Sequence, residues 1–187
     1  MVTFAEACKS LVDCISSLNP DWEGRHQFNG TPERLTRLYQ DFCWSQDRID
    51  SELERHFRTF QNGYDEMLTS GPFTVWTLCP HHLLPVRMDC WVGYIPEGKV
   101  LGLSKIVRIS ETLARRPTMQ EQFTPELANL FMEKLAPKGV GVKVVGIHGC
   151  MASRGVKQGS PVTTTSLKGC FKKEPSVKSE FLQSTNQ

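Results

Sequence analysis

The chain has 187 residues, with 39% hydrophobic and 22% charged, the size and balance of a globular protein with room for a sizeable core. Lys plus Arg number 22 against 20 Asp plus Glu, a net charge of +2, whereas a dedicated nucleic-acid binder carries a large basic excess. No run approaches the ~20 apolar residues of a membrane span, and Glu6, Lys9 and Asp13 interrupt any signal-peptide core, so a cytoplasmic protein is expected.

Apolar residues at Phe4, Cys8, Leu11, Val12, Ile15 and Leu18 fall on one helical stripe. A turn-rich segment follows over 19–30, and Thr31-Pro32-Glu33 then reads as a helix start, with Thr31 as N-cap and Pro32 at the first helical position. Leu35, Leu38, Tyr39 and Phe42 supply that helix with a buried face, and a third helix carries Ile49, Leu53, Phe57 and Phe60. After Ser70-Gly71-Pro72 the pattern turns to strand, over 73–79 and 88–95, where aromatic and β-branched residues concentrate. Pro96-Glu97-Gly98 makes a turn. The helical period returns from Ser104 through Ile106, Ile109 and Leu113, stops at Pro117, and resumes from about Pro125 to Leu135. Strands are expected over 140–147 and 162–171, and a short closing helix over 175–182.

The class is α+β, with helices gathered apart from an antiparallel sheet. An N-terminal helical segment over 1–70 and an α+β region over 71–187 form one structural domain. Four strands leave open edges, which a homo-oligomer joining sheets between subunits would close.

Seven scattered cysteines without a secretion signal read as free thiols in a reducing compartment. Two groups stand out. Cys79-Pro80-His81-His82 ends a strand, and His148-Gly149-Cys150 follows the strand over 140–147. Singly, these are core thiols and loop histidines. Together they offer two Cys and three His, enough for a Cys₂His zinc site with one position open, the mark of catalytic zinc.

Among the cations, Lys105 and Arg108 lie one helical turn apart behind Ser104, at a helix start that already favours anions. Arg34 and Arg37 share that spacing, and Arg154 follows the second Cys/His group. Any one pair reads as a solvated face, while all five, if the fold gathers them, suggest a polyphosphate site. Gln120-Glu121 offers a carboxylate and an amide, groups that pair with a guanine edge. A Walker-type phosphate loop is absent.

In order along the chain, CPHHLLP (79–85), GYIPEGKVLGLSKIVR (93–108), Arg116-Pro117-Thr118-Met119-Gln120-Glu121 and His148-Gly149-Cys150-Met151-Ala152-Ser153-Arg154-Gly155 resemble GTP cyclohydrolase I. The helix start over 31–34, the Thr-Thr-Thr-Ser-Leu run over 163–167 and the Glu-Phe-Leu over 180–182 extend the resemblance to roughly 30–182. It implies conversion of GTP to 7,8-dihydroneopterin triphosphate and formate, the first step of folate and pterin synthesis or a supply for deazaguanine synthesis. It implies one Zn2+ per subunit on Cys79, His82 and Cys150, where the metal activates a water, and proton transfer by His81 and His148. Gln120 and Glu121 would hold the guanine edge, and Ser104, Lys105, Arg108, Arg154, Arg34 and Arg37 the triphosphate. The implied fold is a tunnelling-fold (T-fold) subunit, an antiparallel sheet with helices on one side, assembling into a ring, commonly a homodecamer with active sites at subunit interfaces.

Three departures stand out. Pro80 replaces the family's usual Glu, and Gly149 and Ser153 replace bulkier residues. A purine- or pterin-binding relative that lost turnover through Pro80 is the alternative. The nitrile reductases of the same fold lack support, because their Glu-(Ser/Leu)-Lys-Ser-(Phe/Tyr)-Lys motif is missing.

Overall fold

The computed structural model describes residues 2–186. It resolves into two compact units, Met1–Trp44 and Ser45–Gln187.

The first unit pairs helix α1 (Phe4–Ser17) with helix α2 (Thr31–Phe42) through a short 3-10 helix, Glu23–Phe28. A capping box starts α1: Glu6 N donates to Thr3 Oγ1 at 3.2 Å, and Thr3 N to the Glu6 carboxylate at 2.7 Å. Gly30, at φ 74°, caps α2, so Thr31 is its first helical residue and not the N-cap. The left-handed backbone there suits glycine and spares Thr31 the capping role. Phe4 meets Tyr39 edge-on at 6.2 Å, and Cys8 and Val12 are buried. The buried face expected on α2 is only half-formed: Leu35, Tyr39 and Phe42 are half-buried and Leu38 is exposed.

The second unit begins with α3 (Gln46–His56), β1 (Thr59–Gln61), β2 (Leu68–Leu78), β3 (Pro85–Ile95), β4 (Lys99–Leu101) and α4 (Leu103–Leu113). It continues through α5 (Gln120–Leu135), β5 (Gly139–His148), α6 (Gly149–Ala152), β6 (Val162–Gly169), α7 (Cys170–Lys173) and α8 (Pro175–Ser184). Three expectations shift here. Helix α3 ends before Phe60, which instead lies in β1, paired with β4 and 62% exposed. Helix α5 starts at Gln120 and encloses Pro125, whose missing N–H removes one helical bond without ending the helix. Phe171 belongs to α7, because the strand stops at Gly169, whose φ of 57° breaks the extended run.

The main sheet has the order β2-β3-β5-β6, antiparallel throughout. Alternate residues of β3 (Val86, Met88, Cys90, Val92 and Tyr94) and of β5 (Val140, Val142 and Val144) turn to one face and are buried. Ile106, Ile109 and Leu113 of α4 and Phe123, Leu127 and Phe131 of α5 complete that core. Gly93 and Gly141 belong to the opposite pleat, against Phe181 of α8.

This register sets up the chemistry. Leu78 pairs with Pro85 and leaves 79–84 as the loop of the β2–β3 hairpin, while Val86 pairs with His148 at the last position of β5. The two Cys/His groups, some 70 residues apart in the chain, thus leave the same end of one sheet.

Candidate active site

The 79–84 loop is closed by its own backbone. The Cys79 carbonyl accepts from His82 N at 3.3 Å and Leu83 N at 2.8 Å, and Cys79 N donates to the Leu84 carbonyl at 2.9 Å. This is one helical turn, ended by Leu83 at φ 53°, a left-handed conformation that a leucine adopts only when its surroundings hold it. Residues three apart share a face of such a turn, so Cys79 and His82 meet. Pro80 sits where a first turn leaves N–H groups without helical partners, and its ring displaces no bond of this loop.

The Cys79 Sγ lies 3.5 Å from His82 Nδ1 and 3.8 Å from His81 Nδ1. Cys150, in α6, completes a trio whose donor atoms all lie within 4.8 Å of one another. Around a tetrahedral zinc, with bonds of ~2.3 Å to sulfur and ~2.0–2.1 Å to nitrogen, such atoms stand about 3.5–3.8 Å apart. The trio therefore needs only a small contraction, and Cys79–His82 is already at that spacing. Charge leads to the same conclusion. Burial, then the hydrogen bond and charge of Cys79, push the Cys150 thiol up, while Arg154 works against this. A thiol held up by burial and by a neighbouring cysteine is stabilised as the thiolate by a divalent cation, so the donor set fits zinc.

Beside the trio is a cavity of roughly 210 Å3, lined among others by His81, His148 and Glu121. His148 ends β5, and its Nε2 stands 2.9 Å from Gln120 Oε1. Gln120 opens α5 but does not face the cavity: it is 1% exposed, wedged between helix and sheet. Glu121, the next residue, is exposed and does face it.

The cations are placed differently. Ser104, Lys105 and Arg108 stand on α4, whose approach is fixed by Leu101 N donating to Tyr94 Oη at 3.0 Å, and they do not line this cavity. Arg154, exposed beyond α6, is close enough to lower the Cys150 thiol. In the first unit, Arg34 donates to Asn29 O at 2.9 Å and Thr31 Oγ1 at 3.2 Å, and Arg37 borders the groove between α1 and α2.

Sequence reasoning named no role for Thr118, Met119 and Val162, which line the cavity wall, or for Thr124 and Thr164 behind it. Thr118, Met119 and Thr164 lie inside stretches that carry the resemblance, but their place in the site comes from the β5–β6 register and the early start of α5.

A family model described as GTP cyclohydrolase I matches residues 5–186. The chain is 36% identical over 183 residues to a GTP cyclohydrolase 1 of Rhodopirellula baltica, covering 97% of this chain and 77% of that protein. It is 39% identical over 166 residues to a GTP cyclohydrolase 1 of Aquifex aeolicus, covering 88% and 86%. Among solved structures, the apo archaeosine synthase QueF-Like overlaps 58% of this chain and 97% of that one, at 18% identity and a TM-score of 0.43.

Proposed function

The chain belongs to the GTP cyclohydrolase I family, and from that membership we propose that it converts GTP and water to 7,8-dihydroneopterin triphosphate and formate. The observation that carries this reading is the convergence of Cys79, His82 and Cys150 beside a cavity that also presents His81, His148 and Glu121.

Cys79, His82 and Cys150 hold the metal. Zinc, when bound, supplies the Lewis acidity that activates water at neutral pH. His81 and His148 carry protons during imidazole-ring opening and formate release, the general acid–base role of positioned histidines. Glu121 accepts the N–H groups of the guanine edge, with Gln120 in the wall behind.

A cavity of roughly 210 Å3 is smaller than the ~300–1,000 Å3 of typical ligand pockets. It accommodates the base and leaves the triphosphate outside, to be held by Ser104, Lys105, Arg108, Arg154, Arg34 and Arg37. Binding energy from that unreacting end positions the ring for attack. Sites of this kind are completed by another subunit, and we infer a T-fold ring, commonly a homodecamer. The free edges at β2 and β6 support this, as do Leu11, Ile15, Leu18 and Leu38, apolar and exposed on the first unit. A cytoplasmic location and a product that enters folate, pterin or deazaguanine synthesis complete the proposal. Among the described residues, no helix is long and apolar enough to cross a membrane.

Loss of turnover through Pro80 finds no support in the loop, because Pro80 leaves the donor trio assembled. Zinc-loaded protein given GTP, followed by pterin absorbance and a formate assay, tests the reading. Turnover that disappears in Cys150→Ala and His148→Ala is the expected result. GTP bound with zinc in place and no formate released overturns it.

A further inference from the structure

Gln120 commits its whole side-chain amide inside the protein. Its Nε2 lies 3.2 Å from Val144 O, 2.9 Å from Val162 O and 3.0 Å from Thr164 Oγ1. Two of these partners are main-chain carbonyls, which only accept, so the amino group faces them and Oε1 faces the other way. The hydroxyls agree. Thr124 Oγ1 gives its single proton to Gln120 O at 2.8 Å, so Thr164 is the donor in their 2.7 Å contact. Thr164 Oγ1 is then left to accept from Gln120 Nε2. Every direction is set before the histidine is considered.

At the far end, Oε1 meets His148 Nε2 at 2.9 Å. An amide oxygen has no proton to give, so the proton in that bond belongs to the imidazole. We propose that Gln120 is a positioning residue that holds neutral His148 as its Nε2–H tautomer, which makes Nδ1 the one ring atom able to accept a proton. The catalytic meaning rests on the reading of His148 as a proton carrier in the GTP reaction; the tautomer itself does not. This assignment moves Gln120 from the guanine edge to the histidine.

Gly146 points to the same bond independently. A Cβ built there would collide with Gln120 Oε1 and stand 3.2 Å from His148 Nε2. Within the β5 strand, only glycine leaves this bond room, although its backbone there is ordinary.

The test uses zinc-loaded full-length protein with 15N-labelled histidine, observed by NMR at neutral pH. Nitrogen shifts separate a ring N–H from a bare ring nitrogen, and the His148 signals are identified by their loss in His148→Asn. We expect the proton on Nε2 and a bare Nδ1. In Gly146→Ala and Gln120→Leu, the Nδ1–H form becomes populated. Their kcat for formate release then falls at least about tenfold, the usual scale for losing a partner that orients a site residue. KM for GTP stays within about twofold, since substrate contacts are untouched. A neutral wild-type His148 with its proton on Nδ1 overturns the proposal. So does a tautomer unchanged in both variants. Should either variant fail to fold, the wild-type spectrum and the other variant still decide. The expected spectrum without formate from any protein would instead sink the GTP reading and leave the tautomer assignment standing.

Discussion

Gly93 and Gly141 face each other across the β3–β5 ladder, and the Phe181 ring fills the space their side chains would take. A Cβ at either glycine would stand 2.8 Å from the Phe181 ring, and one at Gly141 also 2.7 Å from Phe171. Phe181 is fully buried and meets Phe171 edge-on at 5.5 Å, so the C-terminal helix is pinned to the sheet. Phe181→Ala is expected to cost about 3–5 kcal/mol, and Gly141→Ala about 1–3 kcal/mol by overpacking. Urea denaturation measures both, and midpoints equal to wild type would contradict the packing.

The proposed function puts metal binding and proton transfer on different residues, so the two should separate experimentally. Cys150→Ala and His82→Ala are expected to lose bound zinc, read as metal per chain after gel filtration. His148→Ala keeps its zinc while formate release falls by roughly 10²–10⁴, the range for a positioned acid or base. Zinc lost from His148→Ala would place that histidine among the ligands instead.

Glu121 is the exposed carboxylate of the cavity, one residue after a buried glutamine. Glu121→Gln is expected to reduce kcat/KM for GTP by about 10² or more, because a site built to bond an N–H group loses heavily when the match fails. Zinc content stays at the wild-type level. Discrimination against inosine triphosphate, which lacks the 2-amino group, should shrink with it, and steady-state rates on both nucleotides show whether it does.

His56 ends α3, with Glu52 and Arg55 on its own helix and Lys105 and Arg108 across on α4. Its side chain is 14% exposed, and its Nδ1 has no hydrogen-bond partner among the described residues. Burial first, then the charge of Lys105, hold it below the usual histidine value, while Glu52 at 3.8 Å opposes this. The unfolded chain then binds the proton more readily than the folded one, so this contribution to stability is complete above about pH 6.5 and is lost as pH falls. Denaturation midpoints at pH 7.5 and 5.5 should differ more in wild type than in His56→Gln. Equal differences would remove His56 from the account.

Strands β3 and β5 are readable from their concentration of aromatic and β-branched residues, and the trio of Cys79, His82 and Cys150 from residue type and resemblance. The helix boundaries that failed did so for backbone reasons. Gly30 took the cap that Thr31 was expected to provide, and α5 ran past Pro125 because Gln120, five residues upstream, anchors its first turn in the sheet. Gln120 stands out in the sequence, but its burial and its contacts do not. Its partners, Val144, Val162 and Thr164, come from two strands whose pairing no local pattern reveals.

The sheet ends at β2 on one side and β6 on the other. Backbone donors and acceptors along those edges bond to water in the single chain, or to a strand of a neighbouring subunit in the ring proposed above. In the proposed ring, dilution then acts as a mild denaturant. The melting temperature is expected to rise with the amount in the tube, and a midpoint independent of concentration would count against edge pairing between subunits.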